Sequence, residues 1–293
     1  MLEHKYADVN GIRMHYVQAG QGKLILFVHG FPQFWYAWKD LLAEFGRDHL
    51  AVAPDMRGYN LSSKPEGVEH YRVSHMVKDL RELAKSLGHE RFIVVAHDWG
   101  GGVAWSLAIR HPECLEKLVI INSPHPATFE RELNQNPAQQ AASQYMLFFR
   151  SPKAEAALSA NDYKALCDTV LTAGLKKGHF TEDDRQAYLA AWSQPGAMTG
   201  SLNWYRAAGI GPPTGAEPKA RSFVSDSAAH QVAVPTLVIW GEKDAALVKE
   251  NLDGLDQYVP DLTVHRIPDG THWVVHEQPA EVTRHIREFI GRA

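Results

Sequence analysis

Three side chains far apart in the chain have the types and settings that nucleophilic catalysis needs. They are Asp98 in Ala96-His97-Asp98-Trp99-Gly100-Gly101, Asp244 in Gly241-Glu242-Lys243-Asp244, and His272 in Pro268-Asp269-Gly270-Thr271-His272-Trp273. A carboxylate that attacks carbon forms an ester, and water must then clear that ester. The second step needs a base, which His272 can supply, an acid to orient the base, which Asp244 can supply, and N–H donors for the oxyanion. Small residues lie two before and two and three after Asp98, the steric requirement of a sharp strand-to-helix turn. The helix that follows would point unpaired N–H groups at the turn. In His29-Gly30-Phe31-Pro32 the proline has no N–H, so the backbone N–H groups of Phe31 and Trp99 are the candidate oxyanion hole. Each feature alone has a plainer reading: helix caps for the two aspartates, a loop histidine, an ordinary turn. Their joint order of nucleophile, acid and histidine, each after a strand, favours the chemistry.

The elements that must position them are legible as short apolar runs alternating with helical patterns. Strands are predicted at Lys5–Val9, Arg13–Ala19, Leu24–His29, Leu50–Pro54, Arg91–Ala96, Leu118–Asn122, Thr236–Trp240 and Thr263–Ile267. The first two are joined by Asn10-Gly11 and predict an antiparallel hairpin. The others, such as LILFV and TLVIW, read as strands of a parallel sheet buried on both faces. Helices predicted at Trp35–Phe45, Val73–Leu87, Gly101–Arg110 and Ala280–Ile290 supply the crossovers. From about Pro126 to Ser227 the alternation stops and the chain becomes helical, and strands resume near Val234. The expectation is a helical insertion, 126–227, within an α/β core formed by residues 1–125 and 228–293.

Composition sets the class. The 293 residues are 45% hydrophobic and 22% charged, enough for a large core, and the net charge of −4 offers no basic footprint for nucleic acid. Neither Cys114 nor Cys167 sits in a CxxC spacing, so no disulfide framework or zinc site is expected. None of the 16 histidines is read as half of a ligand pair on one helix face, so no metal is expected. No signal peptide or membrane-length apolar run is visible, and the expectation is a soluble cytoplasmic protein, monomer or homodimer, with no membrane partner.

The segments HGFP, DMRGYNLSSKP (Asp55 to Pro65) and HDWGG (His97 to Gly101), with the Gly241–Asp244 loop and His272, resemble the epoxide hydrolase branch of the α/β-hydrolase family over nearly the whole chain. HDWGG alone also resembles haloalkane dehalogenases. The resemblance implies an α/β-hydrolase fold, a mostly parallel eight-stranded sheet covered by helices, with a cap inserted after the sixth strand. Asn60 departs from it, standing where many relatives carry glycine. Asn122 ends the sixth strand where some dehalogenases carry a carboxylate, which leaves Asp244 as the acid; Asp269 is an alternative better suited to a structural role.

Opening an epoxide expels an alkoxide, which needs an acid that still holds its proton at ambient pH; a phenol, with a pKa of roughly 10, qualifies. The segment Leu202-Asn203-Trp204-Tyr205-Arg206 resembles the cap motif whose tyrosine is one acid, and Tyr145, counted back from Pro152, matches the other. Both tyrosines also suit plain cap packing, as expected for Tyr163 and Tyr188. The implied reaction joins a small apolar epoxide and water to give a vicinal diol, through an ester of Asp98, with no cofactor. Trp35, Phe148, Phe149 and Trp273, with Phe31 and Trp99, are expected to line an apolar pocket. Rival readings are a haloalkane or haloacetate dehalogenase using the same aspartate, and a non-catalytic ligand receptor. Tryptophan rather than arginine after Asp98 weakens the haloacetate reading, and competent side chains at every proposed position weaken the receptor.

Overall fold

Asn10 and Gly11 both take positive φ, 46° and 74°, the backbone of a two-residue turn that twists with its strands. They join β1 (Glu3–Val9) to β2 (Ile12–Ala19) with Val9 opposite Ile12. The computed structural model describes residues 1–220 and 230–291. Its sheet continues with β3 (Leu24–Val28), β4 (Leu50–Pro54), β5 (Phe92–His97), β6 (Leu115–Ile121), β7 (Thr236–Gly241) and β8 (Leu262–Ile267). The order across the sheet is β1-β2-β4-β3-β5-β6-β7-β8. β1, β2 and β4 pair antiparallel in succession, and every later pairing is parallel.

Every residue of β3, β5 and β7 is buried, as crossover helices on both faces require. Full burial of each Leu, Ile or Val side chain there contributes about 1.5–3 kcal/mol. β8 departs from the expectation of a strand covered on both faces. It is an edge strand, only partly buried over most of its length.

The core helices are α1 (Lys39–Phe45), α2 (Val73–Ser86) and α3 (Trp99–Arg110). The helix expected from Trp35 is divided: Trp35–Trp38 is a tighter 3-10 turn and α1 begins at Lys39. α3 begins two residues earlier than expected, directly after Asp98, despite three successive glycines. Asp79 on α2 receives the Arg57 guanidinium at 2.7 and 2.8 Å and the Asn10 amide at 2.7 Å. That buried, fully partnered group ties the first hairpin and the loop after β4 to one helix.

Between β6 and β7 the chain builds α4 (Pro126–Gln135), α5 (Pro137–Ala142), α6 (Gln144–Arg150), α7 (Ala154–Val170), α8 (Thr172–Lys177), α9 (Glu182–Trp192) and α10 (Ala197–Ala208). The starts follow local chemistry. Pro126 and Pro137 sit in first turns, where a missing N–H costs nothing. Asn136 caps α5, and Thr181 with Asp184 forms a reciprocal capping box on α9. α7 is broken at Ala160–Tyr163, where Asn161, Asp162 and Tyr163 are all left-handed. Tyr188 is fully buried and Tyr163 packs on Trp192.

Polar contacts fasten this layer to the core. Trp192 donates its indole N–H to the Pro32 carbonyl at 2.6 Å, and Trp204 donates to Arg57 O at 3.0 Å. Asp184 accepts from Lys39 at 2.6 Å and from the Tyr36 hydroxyl at 2.9 Å. The expected return to the core at 227/228 lies outside the described residues. α11 (Val274–Glu277) and α12 (Pro279–Ile290) close the chain. Among the described residues no helix is long and apolar enough to cross a membrane.

Candidate active site

Asp98 sits at the apex between β5 and α3 with φ 51° and ψ −126°, a backbone state that costs a non-glycine residue about 1–3 kcal/mol. Its neighbours leave no room for another path. A Cβ on Gly100 would fall 2.3 Å from the Val28 carbonyl, and one on Gly30 would fall 2.2 Å from Asp98 Oδ1. The turn is held by Ser123 Oγ and Gly102 N–H, which donate to the Asp98 carbonyl at 2.7 and 3.1 Å.

The Asp98 carboxylate faces two ways. Oδ1 accepts the Phe31 N–H at 2.7 Å, and the Trp99 N–H also bonds to the carboxylate. Oδ2 lies 3.5 Å from His272 Nε2. His272 Nδ1–H donates to Asp244 Oδ2 at 2.7 Å. Asp244 Oδ1 in turn accepts the Ala246 and Leu247 N–H groups at 2.8 and 3.0 Å. The three residues therefore form one relay after β5, β7 and β8.

Tyr145 on α6 and Tyr205 on α10 face each other, ring centroids 6.2 Å apart. Tyr205 meets Phe31 and Trp99 edge-on at 5.5 and 5.2 Å. Asp98, both tyrosines, Phe31, His272, Phe149 and Trp273 line one cavity of about 340 Å³, walled otherwise by Leu158, Leu166 and short side chains. A small second cavity of about 40 Å³, lined by Phe129, Met146, Ile210 and Leu247, meets the first at Asp98 and Tyr145.

Comparison with known proteins gives the family. A family model described as alpha/beta hydrolase fold matches residues 23–279. The chain is 37% identical to Epoxide hydrolase 4 of Mus musculus, over 98% of this chain and 79% of that protein. It is also 37% identical to the AB hydrolase superfamily protein YfhM of Bacillus subtilis, over 98% and 97%. A crystal structure of the Bacillus megaterium epoxide hydrolase with an inhibitor superposes with a TM-score of 0.93 at 39% identity, covering 98% of this chain and 100% of that one. This chain belongs to the α/β-hydrolase family, in its epoxide hydrolase branch.

Within this α/β-hydrolase the electrostatics follow from the geometry. Burial opposes charge on His272, but the charge and hydrogen bond of Asp244, together with Asp98, outweigh it and raise the imidazole from 6.5 to about 10. Burial also pushes both carboxyls up. For Asp98 the His272 hydrogen bond and charge reverse the sign, and for Asp244 the His272 charge and hydrogen bond and the Asn122 amide do so, leaving both below the ordinary carboxylate value. Burial, with the Asp98 charge nearby, raises both phenols above the ordinary tyrosine value. The tyrosines thus keep their protons while Asp98 stays ionised.

Two residues expected in the hydrolase's pocket lie elsewhere. Trp35 gives its backbone N–H to Asp55 Oδ1 at 3.1 Å, and its ring packs edge-on against His4 at 5.1 Å, outside the lining of both cavities. Phe148 is 40% exposed. Tyr145 and Phe149 stand four residues apart on α6 and share the cavity face, so Phe148 points roughly 100° away. Asp269 is exposed and paired with Lys243.

Other residues gain roles that sequence reading missed. Asn122, read only as a lost carboxylate, donates to Asp244 Oδ2 at 2.7 Å and accepts the Gly241 N–H at 2.9 Å. Asn60 adopts the left-handed backbone, φ 39°, that its amide tolerates, and donates to Asp55 at 2.8 Å. His272 and His276 do have a four-residue spacing open to a ligand pair, but His272 faces Asp98 and Asp244 while His276 lies 2.6 Å from the Gln33 amide. The His97 ring lies 4.8 Å from that of His272 and donates from Nε2 to the His272 carbonyl at 2.8 Å. No cluster of three potential metal ligands occurs among the described residues.

Proposed function

We propose that this hydrolase converts an apolar epoxide to a vicinal diol. Asp98 Oδ2 attacks a ring carbon, the C–O bond breaks, and Tyr145 or Tyr205 protonates the departing oxygen. The resulting hydroxyalkyl ester of Asp98 carries no charge, so His272 loses one of the two anions that raise its pKa. It gives its proton back to the tyrosinate through the site and becomes a base. Neutral His272 then takes a proton from water, whose oxygen attacks the ester carbonyl. The oxyanion on Oδ1 is held by the Phe31 and Trp99 N–H groups. Collapse expels the diol oxygen, which takes the proton from His272. The new carboxyl returns a proton to the imidazole, and the starting charges are restored.

One observation carries this reading. Two proton-bearing phenols, both raised by burial and by the Asp98 charge, line the same cavity as that carboxylate. A halide leaves unprotonated and would make no use of them. A haloacetate would bring a carboxylate into a wall that has no lysine or arginine among its described lining residues. The larger cavity, with its aromatic and aliphatic wall around Asp98, suits an apolar epoxide whose main substituent lies on one side of the ring. A variant of the Bacillus megaterium relative has been solved with its product, (R)-3-[1]naphthyloxy-propane-1,2-diol, the vicinal diol of an aryl-substituted terminal epoxide.

The test is a single turnover of aryl and alkyl epoxides in labelled-oxygen water. The expected first diol carries oxygen from Asp98, and label enters only in later turnovers. Label in the first diol, or halide release from haloalkanes without any diol from epoxides, would overturn the reading.

A further inference from the structure

Gln33 follows the oxyanion loop directly and is 1% exposed. Its amide lies 3.0 Å from His97 Nδ1 and 2.6 Å from His276 Nε2. His97 Nε2 meets the His272 carbonyl. These contacts form a closed ring: from His272 along the first turn of α11 to His276, across to Gln33, on to His97, and back to His272. None of the ring side chains lines either cavity beyond His272 itself.

Hydrogen-bond logic gives the ring a direction. A carbonyl only accepts, so His97 carries its proton on Nε2. A neutral His97 then only accepts at Nδ1; Gln33 Oε1 lies 3.0 Å from that nitrogen and Gln33 Nε2 lies 2.6 Å from His276 Nε2, so this logic requires the amide turned over, its NH2 toward His97. An amide's two ends are told apart by their partners, which leaves the Gln33 oxygen for a proton on His276 Nε2. Burial and the His272 charge hold His97 down at about 4, and burial and His97 hold His276 at about 3, so both rings are neutral. A neutral chain spares His272 a second buried cation at 4.8 Å. A carboxylate in place of the amide could donate to neither ring.

We propose that Gln33 is a positioning residue for the water-attack step, closing this ring so that the His272 loop is fixed against the strand end that carries Asp98. The role rests on the ester mechanism proposed above. Asp98, Tyr145 and Tyr205 line the larger cavity and Gln33 does not, so ester formation proceeds without the ring. Ester breakdown requires His272 to aim at a water, and it depends on the loop.

The test compares wild type with Gln33→Ala and His276→Phe in single-turnover experiments on a styrene-type epoxide, quenched for the alkylated protein. Gln33→Ala is expected to form the ester within about twofold of the wild-type rate and to break it down at least about tenfold more slowly, with kcat and KM falling together. His276→Phe cuts only the outer link, and about a threefold slowing of breakdown is expected. Nitrogen-15 spectra of the imidazoles give a reading independent of turnover: His97 and His276 both in the Nε2–H form. If both steps slow equally, or neither slows, Gln33 has no positioning role. His97 in the Nδ1–H or imidazolium form overturns the ring whatever the substrate. A wild-type protein that forms no ester overturns the reaction and the step assigned to Gln33, and the ring itself is then judged by the tautomers.

Discussion

Asn122 donates its amide to the oxygen of Asp244 that also receives His272 Nδ1–H, each at 2.7 Å. One carboxylate oxygen therefore takes two donors, and the asparagine holds the acid in line for the imidazole. Asn122→Leu removes that donor beside a buried charge. The expected cost is about 1–3 kcal/mol of unfolding free energy, read by urea titration, with ester breakdown slowed about tenfold and ester formation unchanged.

The two phenols should act on the first step alone. Tyr205→Phe and Tyr145→Phe each remove a proton donor, a loss of about 10²-fold or more in ester formation. Both variants keep the ring that packs against Phe149, so thermal stability should change little. Rapid-quench rates of ester formation decide the matter; unchanged rates in both variants would remove the tyrosines from the chemistry.

His272→Gln should stop the second step. The protein is expected to accumulate one epoxide mass on Asp98, seen by mass spectrometry of the intact protein and of the peptide containing HDWGG. Asp98→Asn should take up no such mass.

The His272 pKa also has a sign in stability. It stands at about 10 in the folded protein against an ordinary 6.5. The stabilisation is fully present below about pH 6.5 and is lost as the pH rises toward 10. His272→Gln lacks this contribution, so the gap between wild-type and variant unfolding free energies should narrow across that window. A gap that stays constant with pH would contradict the coupling to Asp244 and Asp98.

On α6 the cavity face can be tested directly. Phe149 lines the cavity and Phe148 is exposed, so Phe149→Ala should raise KM for aryl epoxides several-fold, while Phe148→Ser leaves steady-state kinetics unchanged.

Much of this was readable from the chain because the signals were local. A two-residue turn, runs of β-branched residues and small residues around an apex each carry their own cause. The strand ends that bring Asp98, Asp244 and His272 together follow from those runs. Trp35 was misplaced because nearness in sequence to HGFP says nothing about the direction in which a 3-10 turn points a ring. Phe148 was misplaced because the phase of α6 depends on its start at Gln144, set by the turn at Ser143. Asn122 and Gln33 were missed because their partners are 122 and 243 residues away in the chain, and no periodicity encodes that. The break in α7 falls on Asn161-Asp162, residue types that tolerate left-handed backbone, but the surrounding run reads as helix and hides it.

The indole of Trp192 grips the carbonyl next to the Phe31 donor, so the lid is a structural part of the machinery beneath it. Swapping lids between relatives to broaden substrate range would then be a trade: a graft without a matching indole would accept new molecules while leaving the anion cradle slack, and turnover would decline even for compounds that fit.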